Sequence, residues 1–422
     1  MALVATTVAP FSRSADRRRL DALDGLRGAA AFGIVILHVW MFHQGDLNSP
    51  ERSTLDVAIS QLRLGMPMFF VLSGFLIFRP FVAAMIEGRS NPDVRKYAIR
   101  RAARILPAYW VAILIPAAVL AWLDHGQARP VEQLPIYLFF AQNYVDATSQ
   151  GLNPPTWTIA VEVSFYIAVP IAAVLIGWLT SRFSGPRSRR TVLAVVCIVL
   201  LAVGAYVLGQ CAINGPNHSP LKDSLLGRLN SFAAGMLAAV LVYGRPSRPR
   251  VAYALVIGGA ALVLAEAIVR GYSLLTPMLR DVIVDTPASI GVAMIIAGVA
   301  LARIPGEVVF SRGPLQWYGK LSYGLYLWHF PVIFVLRSLE WWPPSLLGAC
   351  VAVLVPSTLL AMLSWSLLEK PAMEWARRRT SRTAEPPPTA PPAADEAWRP
   401  EQRPATPDRD EVPVGAASAD RH

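Results

Sequence analysis

Arg27 and His38 stand eleven positions apart in one mostly apolar stretch. Over that spacing an α-helix turns about three times, so the two side chains share one face, roughly 16 Å apart along the axis. Glu162 and His329 are two further titratable groups set among apolar residues. An imidazole with a carboxylate is the usual means of taking a proton from a hydroxyl. The same trio of His38, Glu162 and His329 would also serve proton coupling in a transporter. Each histidine also has a plainer reading: His38 as a ring satisfied by a neighbouring backbone carbonyl, His329 as a packed interface histidine.

These groups sit in a chain of 422 residues that is 54 % hydrophobic and 16 % charged, against roughly 45–50 % and about 25 % in soluble domains. The mean hydropathy is +0.43. The apolar excess recurs in blocks of about 20 residues, the length that spans a bilayer. A soluble enzyme and an intrinsically disordered protein are both excluded. The fold class expected is all-α: a polytopic membrane helix bundle with about ten spans, at 29–42, 66–86, 105–123, 157–179, 192–211, 226–243, 251–269, 283–302, 320–338 and 345–368. The apolar stretch 134–141 is too short to cross and reads as interfacial or re-entrant.

The formal net charge is +11. The arginines lie between apolar spans rather than on one face, which speaks for positive-inside anchoring and against a nucleic-acid partner. Every second loop is arginine-rich, so the expected topology places both termini in the cytoplasm. Residues 1–20 form a cytoplasmic arm with no apolar run and hence no cleavable signal peptide. Residues 21–379 form the transmembrane domain, and 380–422 a Pro- and Ala-rich cytoplasmic tail too poor in apolar residues to fold. Cys197, Cys211 and Cys350 lie in or beside spans, so neither a disulfide framework nor a metal site is expected.

A charge in hydrocarbon costs about 2.5–3.5 kcal/mol even on the lenient insertion scale, so each one needs a reason. By helix rise Glu162 lies about 8 Å below the outer surface and His329 about 13 Å from the inner one. Arg100, Arg101 and Arg104 open a span, and Arg79 sits near the inner end of another. The planar guanidinium suits phosphate oxygens, so coenzyme A, a cytoplasmic thioester carrier, is a fitting ligand for that cluster. Arg89, Arg95 and Lys96 are ordinary anchoring charges. Ser73, beside Gly74 in a span, reads as a helix-packing residue before a nucleophile. Trp157, Phe165, Tyr166, Tyr326 and Trp328 are candidates to line a pocket, and Glu369-Lys370-Pro371 reads as a helix stop with a local ion pair.

Five motifs in order resemble those of the acyltransferase-3 family of membrane O-acyltransferases. They are Leu20-Asp21-Ala22-Leu23-Asp24-Gly25-Leu26-Arg27-Gly28 followed by His38, then Phe69 to Leu76, Arg100 to Tyr109, Trp157 to Glu162 with Phe165-Tyr166, and Ser322 to His329. The ordered set covers about residues 20–375 and is specific where any one motif is weak. The resemblance implies a multi-pass protein of the cell membrane that uses acyl-CoA, usually acetyl-CoA, to acylate a hydroxyl. That hydroxyl belongs to a carbohydrate or glycolipid of the cell envelope, or to a macrolide in some members. It also implies that Arg27 and His38 are essential and that Arg101 and Arg104 serve the donor. Pro67 stands where many members carry aspartate. Some members append a secreted hydrolase-like domain; here only the tail is expected to follow, so the chain is expected either to finish the reaction alone or to hand over to a separate extracytoplasmic partner.

The expectation is therefore that Arg27, Arg101 and Arg104 hold the donor phosphates, with Arg79 as a helper. His38 acts as general base, or through a transient acyl-histidine. Glu162 orients His38 or stabilises its charged form, and His329 donates to the developing oxyanion. A proton-coupled secondary transporter is the rival class, and it has no need of the Arg101–Arg104 pair.

Overall fold

The computed structural model describes residues 13–44, 53–123, 133–145, 148, 151–214, 220–276, 279, 283 and 285–381, which are helical with no strand among them. The helices are α1 (Arg13–Gln44), α2 (Thr54–Ser60), α3 (Gly65–Glu87), α4 (Val94–Leu123), α5 (Leu134–Leu138), α6 (Trp157–Ser181) and α7 (Pro186–Asn214). They continue with α8 (Leu229–Val242), α9 (Pro249–Gly271), α10 (Thr286–Leu301), α11 (Glu307–Ser311), α12 (Pro314–Ser338), α13 (Leu346–Ser364) and α14 (Lys370–Ser381).

Each of the ten expected spans falls on a helix. Among the described residues, seven stretches are long and apolar enough to cross a membrane, by length and composition. The other three lie on α8 and α10, which are shorter, and on α12. The physical reason for α12 is its position. Gly319, Leu321, Ser322 and every residue from Gly324 to Phe334 are buried, so this part of the helix meets protein rather than lipid and tolerates a histidine and hydroxyls. By contrast α6, α7 and α9 expose large apolar side chains such as Leu175, Ile198 and Ile257, as a lipid-facing belt requires. The stretch 134–141 holds only the five-residue α5. Of the expected arm, residues 13–20 are already part of α1; residues 1–12, and the tail beyond Ser381, lie outside the described residues.

The contact that positions the chemistry is α1 against α12. A Cβ on Gly28 would lie 2.6 Å from the backbone nitrogen of Gly319, and a Cβ on Gly319 would lie 3.1 Å from Cβ of Asp24. With hydrogens there instead, the two backbones touch, as small residues allow in membrane helices. An ionic clamp joins the turn before α3, the entries of α8 and α10, and α9. Asp285 accepts from Arg63 at 2.8 Å and from Arg228 at 3.2 Å, while Glu266 accepts from the backbone of Asp285 and Ala288.

Gly319→Val should therefore push α12 off α1. We expect a loss of roughly 1–3 kcal/mol from overpacking, read as a lower thermal unfolding midpoint in detergent. Gly177→Ala, where the nearest atom to a new Cβ is Asn91 Nδ2 at 3.4 Å, should leave the midpoint unchanged or raised.

Candidate active site

A cavity of about 800 Å³, its mouth included, opens between α1, α3, α4, α6 and α12. Arg27, Arg101 and Arg104 all reach it, and so does Glu162. Arg101 and Arg104 are one helical turn apart on α4, so they share a face. Arg100 points elsewhere: its Nε donates to Thr380 Oγ1 at 2.9 Å and ties α14 to α4. Arg79 is not among the cavity-lining residues.

The three cavity arginines are held in different ways. Arg27 donates to Asp24 at 3.3 Å, three positions earlier on α1. Arg104 donates to Glu369 at 3.2 Å, and Glu369 is fully buried. The Arg104 guanidinium also lies near the rings of Tyr323 and Trp365. Arg101 lies 5.8 Å from the Tyr97 ring centre and 5.5 Å from that of Tyr166. No carboxylate pairs with Arg101 among the described residues, and its buried Nε has no hydrogen-bond partner.

Glu369 corrects the expectation of a helix stop at Glu369-Lys370-Pro371. The helix runs on through a π-turn at Trp365–Glu369 into α14, and the Lys370 amide donates five residues back to Trp365. Pro371 explains the turn, because it lacks an amide hydrogen and its ring crowds the carbonyl four residues earlier. The widened turn aims Glu369 inward, so its ion pair is with Arg104, 265 positions away, rather than with Lys370.

Glu162 is anchored on the cavity wall. Its Oε1 accepts from Ser73 at 2.5 Å and from Tyr166 at 2.5 Å. Ser73, expected as a packing residue, thus supplies a hydrogen bond to a carboxylate. The expected contact of Glu162 with His38 is not formed. His38 instead meets His329: Nδ1 of His38 and Nε2 of His329 are 2.8 Å apart. Ring centroids of the pair are 5.1 Å apart and nearly parallel. His329 is fully buried, and its Nδ1 lies 3.2 Å from the Leu325 carbonyl oxygen. The register follows from the helix contact below it. Gly28 touches Gly319, α1 and α12 run side by side, and ten residues further on each helix a histidine meets its counterpart.

The pair lies behind the cavity wall. Tyr326 lines the cavity and packs against the His329 ring at 5.6 Å, and the Phe69 ring also packs on Tyr326. The Tyr326 hydroxyl donates to the Pro155 carbonyl at 3.0 Å and lies 2.9 Å from Thr158 Oγ1, which fixes that wall to the entry of α6. Of the aromatic candidates, Tyr166 and Tyr326 line the cavity. Phe165 stacks on Phe232 in the core and Trp157 lies under Arg228, while Trp328 is buried among apolar residues.

Comparison with known proteins agrees with these motifs. A family model described as an acyltransferase domain matches residues 20–365. The chain is 27 % identical over 375 residues to the putative membrane-bound transacylase BcsY of Komagataeibacter xylinus, covering 86 % of this chain and 84 % of that protein. It is 26 % identical over 376 residues to the peptidoglycan O-acetyltransferase OatA of Listeria monocytogenes, covering 84 % of this chain but only 56 % of OatA. Nodulation protein 10 of Rhizobium leguminosarum bv. viciae is 25 % identical over 389 residues, or 86 % and 94 % of the two chains. No solved structure matches. Residues 20–365 carry the match from before Arg27 to beyond His329, and on that ground the chain belongs to the acyltransferase-3 family and is a multi-pass membrane O-acyltransferase.

Proposed function

We propose that the protein moves an acyl group, acetyl in the simplest case, from cytoplasmic acyl-CoA to a sugar hydroxyl of a cell-envelope glycan or glycolipid. It would do so from the cell membrane, with both termini on the cytoplasmic side. The observation that carries the donor half is Arg101. A guanidinium clamped between two tyrosine rings, with a buried donor left unpartnered, is poised for an anion. Charge-assisted bonds to phosphate are what such a group makes best. Arg27 and Arg104 add positive charge to the same cavity. The acceptor half is supported by the similarity to a peptidoglycan O-acetyltransferase.

In this reading His38 takes the proton of the acceptor hydroxyl. The oxygen attacks the thioester carbonyl carbon, the C–S bond breaks, and the leaving thiolate recovers the proton from the imidazolium. General-base assistance of this kind contributes about 10²–10⁴-fold. Glu162, held by Ser73 and Tyr166, would shape the donor cavity rather than touch His38.

Membranes containing the chain should transfer label from [acetyl-14C]acetyl-CoA to an alkali-labile product in an extract of envelope glycans and lipids. His38→Ala should lower that rate by about 10²-fold or more. If no acceptor takes label and no CoA is released, while His38→Ala still impairs export of a metabolite, the transporter reading replaces this one. Arg101→Ala should raise KM for acetyl-CoA by about tenfold or more, the weight of one charge-assisted bond, and Arg101→Lys should not restore it. The cost of stranding Glu369 gives a separate test. Arg104→Ala should lose about 3 kcal/mol of stability by leaving a buried carboxylate alone, and adding Glu369→Gln should recover the unfolding midpoint without recovering KM.

A further inference from the structure

The His38–His329 pair has four ring nitrogens, and three of them are engaged. The backbone carbonyl of Leu325 can only accept, so the His329 Nδ1 that faces it at 3.2 Å carries the hydrogen. A neutral imidazole holds one such hydrogen, which leaves Nε2 of His329 as a lone pair. That lone pair lies 2.8 Å from Nδ1 of His38, so Nδ1 of His38 is the donor. The remaining nitrogen, Nε2 of His38, is then bare. The chain of dependence runs from one backbone carbonyl through two rings to one basic atom, because the bond made by one imidazole nitrogen sets the state of the other.

We infer that His329 is a positioning residue: it locks His38 in the tautomer whose Nε2 is free, and does not itself meet substrate. The inference rests on the reading of His38 as the base and replaces the oxyanion role expected for His329. Both nitrogens of His329 are occupied, so no N–H is left for an oxyanion, and the residue is fully buried. His38 is the member of the pair with partial exposure. Phe330 packs its ring against both imidazoles at steep angles, 79° to His38 and 82° to His329, which restricts either ring from turning over. When Nε2 of His38 takes the hydroxyl proton, its Nδ1–H still donates to a neutral ring. The role is that of the carboxylate in a serine hydrolase triad, which holds its imidazole in the correct tautomer, performed here without a second full charge in the membrane interior.

The test begins with the full chain in lipid bilayers, labelled with 15N-histidine and studied by solid-state NMR at mildly alkaline pH. The chain has six histidines, and His38→Gln and His329→Gln assign the pair by loss of signal. Both residues should show a hydrogen on Nδ1 and a bare Nε2. A hydrogen on Nε2 of His329, or a bare Nδ1 on His38, overturns the inference whether or not the protein transfers acetyl. Failure of the wild type to use acetyl-CoA would sink the donor reading instead and leave the spectrum unchanged.

Kinetics supply the second arm. His329→Gln keeps an oxygen near the place of Nε2 and should lower kcat by at most about tenfold; His329→Leu keeps no acceptor and should lower it by about 10²-fold or more. KM for acetyl-CoA should stay within about twofold in both, since only the base is affected. A rise in KM at unchanged kcat, or equal loss in two folded variants, overturns the inference. His329→Asn, too short to reach His38, takes the place of His329→Leu if the leucine variant does not fold.

Discussion

The approach of α1 to α12 at Gly28 and Gly319 is the constraint on which the remaining geometry depends. Two helices can lie this close only where neither carries a Cβ, and that closeness fixes their register. Ten residues later, about 15 Å along both axes, His38 and His329 arrive at hydrogen-bond distance. A one-residue slip would rotate either imidazole by about 100° and part the pair. The glycines therefore set the geometry of a polar contact they do not touch. The neighbouring elements preserve it: α13 packs along α12, and Tyr326 is tied to the segment before α6.

A second constraint sorts the charges. In the membrane interior an ion without a partner is costly, so those described here come with one. Arg104 has Glu369, Arg27 has Asp24, and Arg63 and Arg228 converge on Asp285. Arg101 departs from the pattern, held by tyrosine faces rather than by a carboxylate. Ring faces stabilise a cation weakly beside an ion pair, so the structure leaves electrostatic attraction unspent at one point of the cavity. That point is where a negatively charged ligand has most to gain.

Much of this was legible in the sequence, for physical reasons that also mark where reading stops. Apolar blocks about 20 residues long locate spans because hydrocarbon thickness sets their length; α12 escapes that measure because it is wrapped in protein. Arg101 and Arg104 could be placed on one helix face by spacing alone, and they do share a cavity. Helical periodicity says which residues of one helix look the same way, but not which helix they look at. Glu162 and His329 were thus equally able to be the neighbour of His38, and only packing assigns it to His329. The same limit hid the bond from Ser73 to Glu162. Glu369 was misread for a different reason. A proline usually ends a helix, and a lysine beside the glutamate offered an obvious partner. The π-turn accommodates Pro371 and turns the carboxylate toward Arg104 instead.

The choice of a neutral ring to orient His38 follows from these constraints taken together. A carboxylate beside His38 would favour the imidazolium, and it would bring a full charge into a place where the unprotonated resting site has no cation to balance it. The cations are on the far side of Tyr326, in the cavity where Glu162 already faces them. A neutral His329, itself fixed by a backbone carbonyl that α12 supplies from its own turn, directs the lone pair of His38 at no cost in net charge. The separation is chemical as well as spatial. Guanidinium groups belong where phosphates are to be held, and a basic imidazole beside them would have its proton affinity lowered by their field. With Tyr326 between the two, each half can keep the electrostatic environment its task requires.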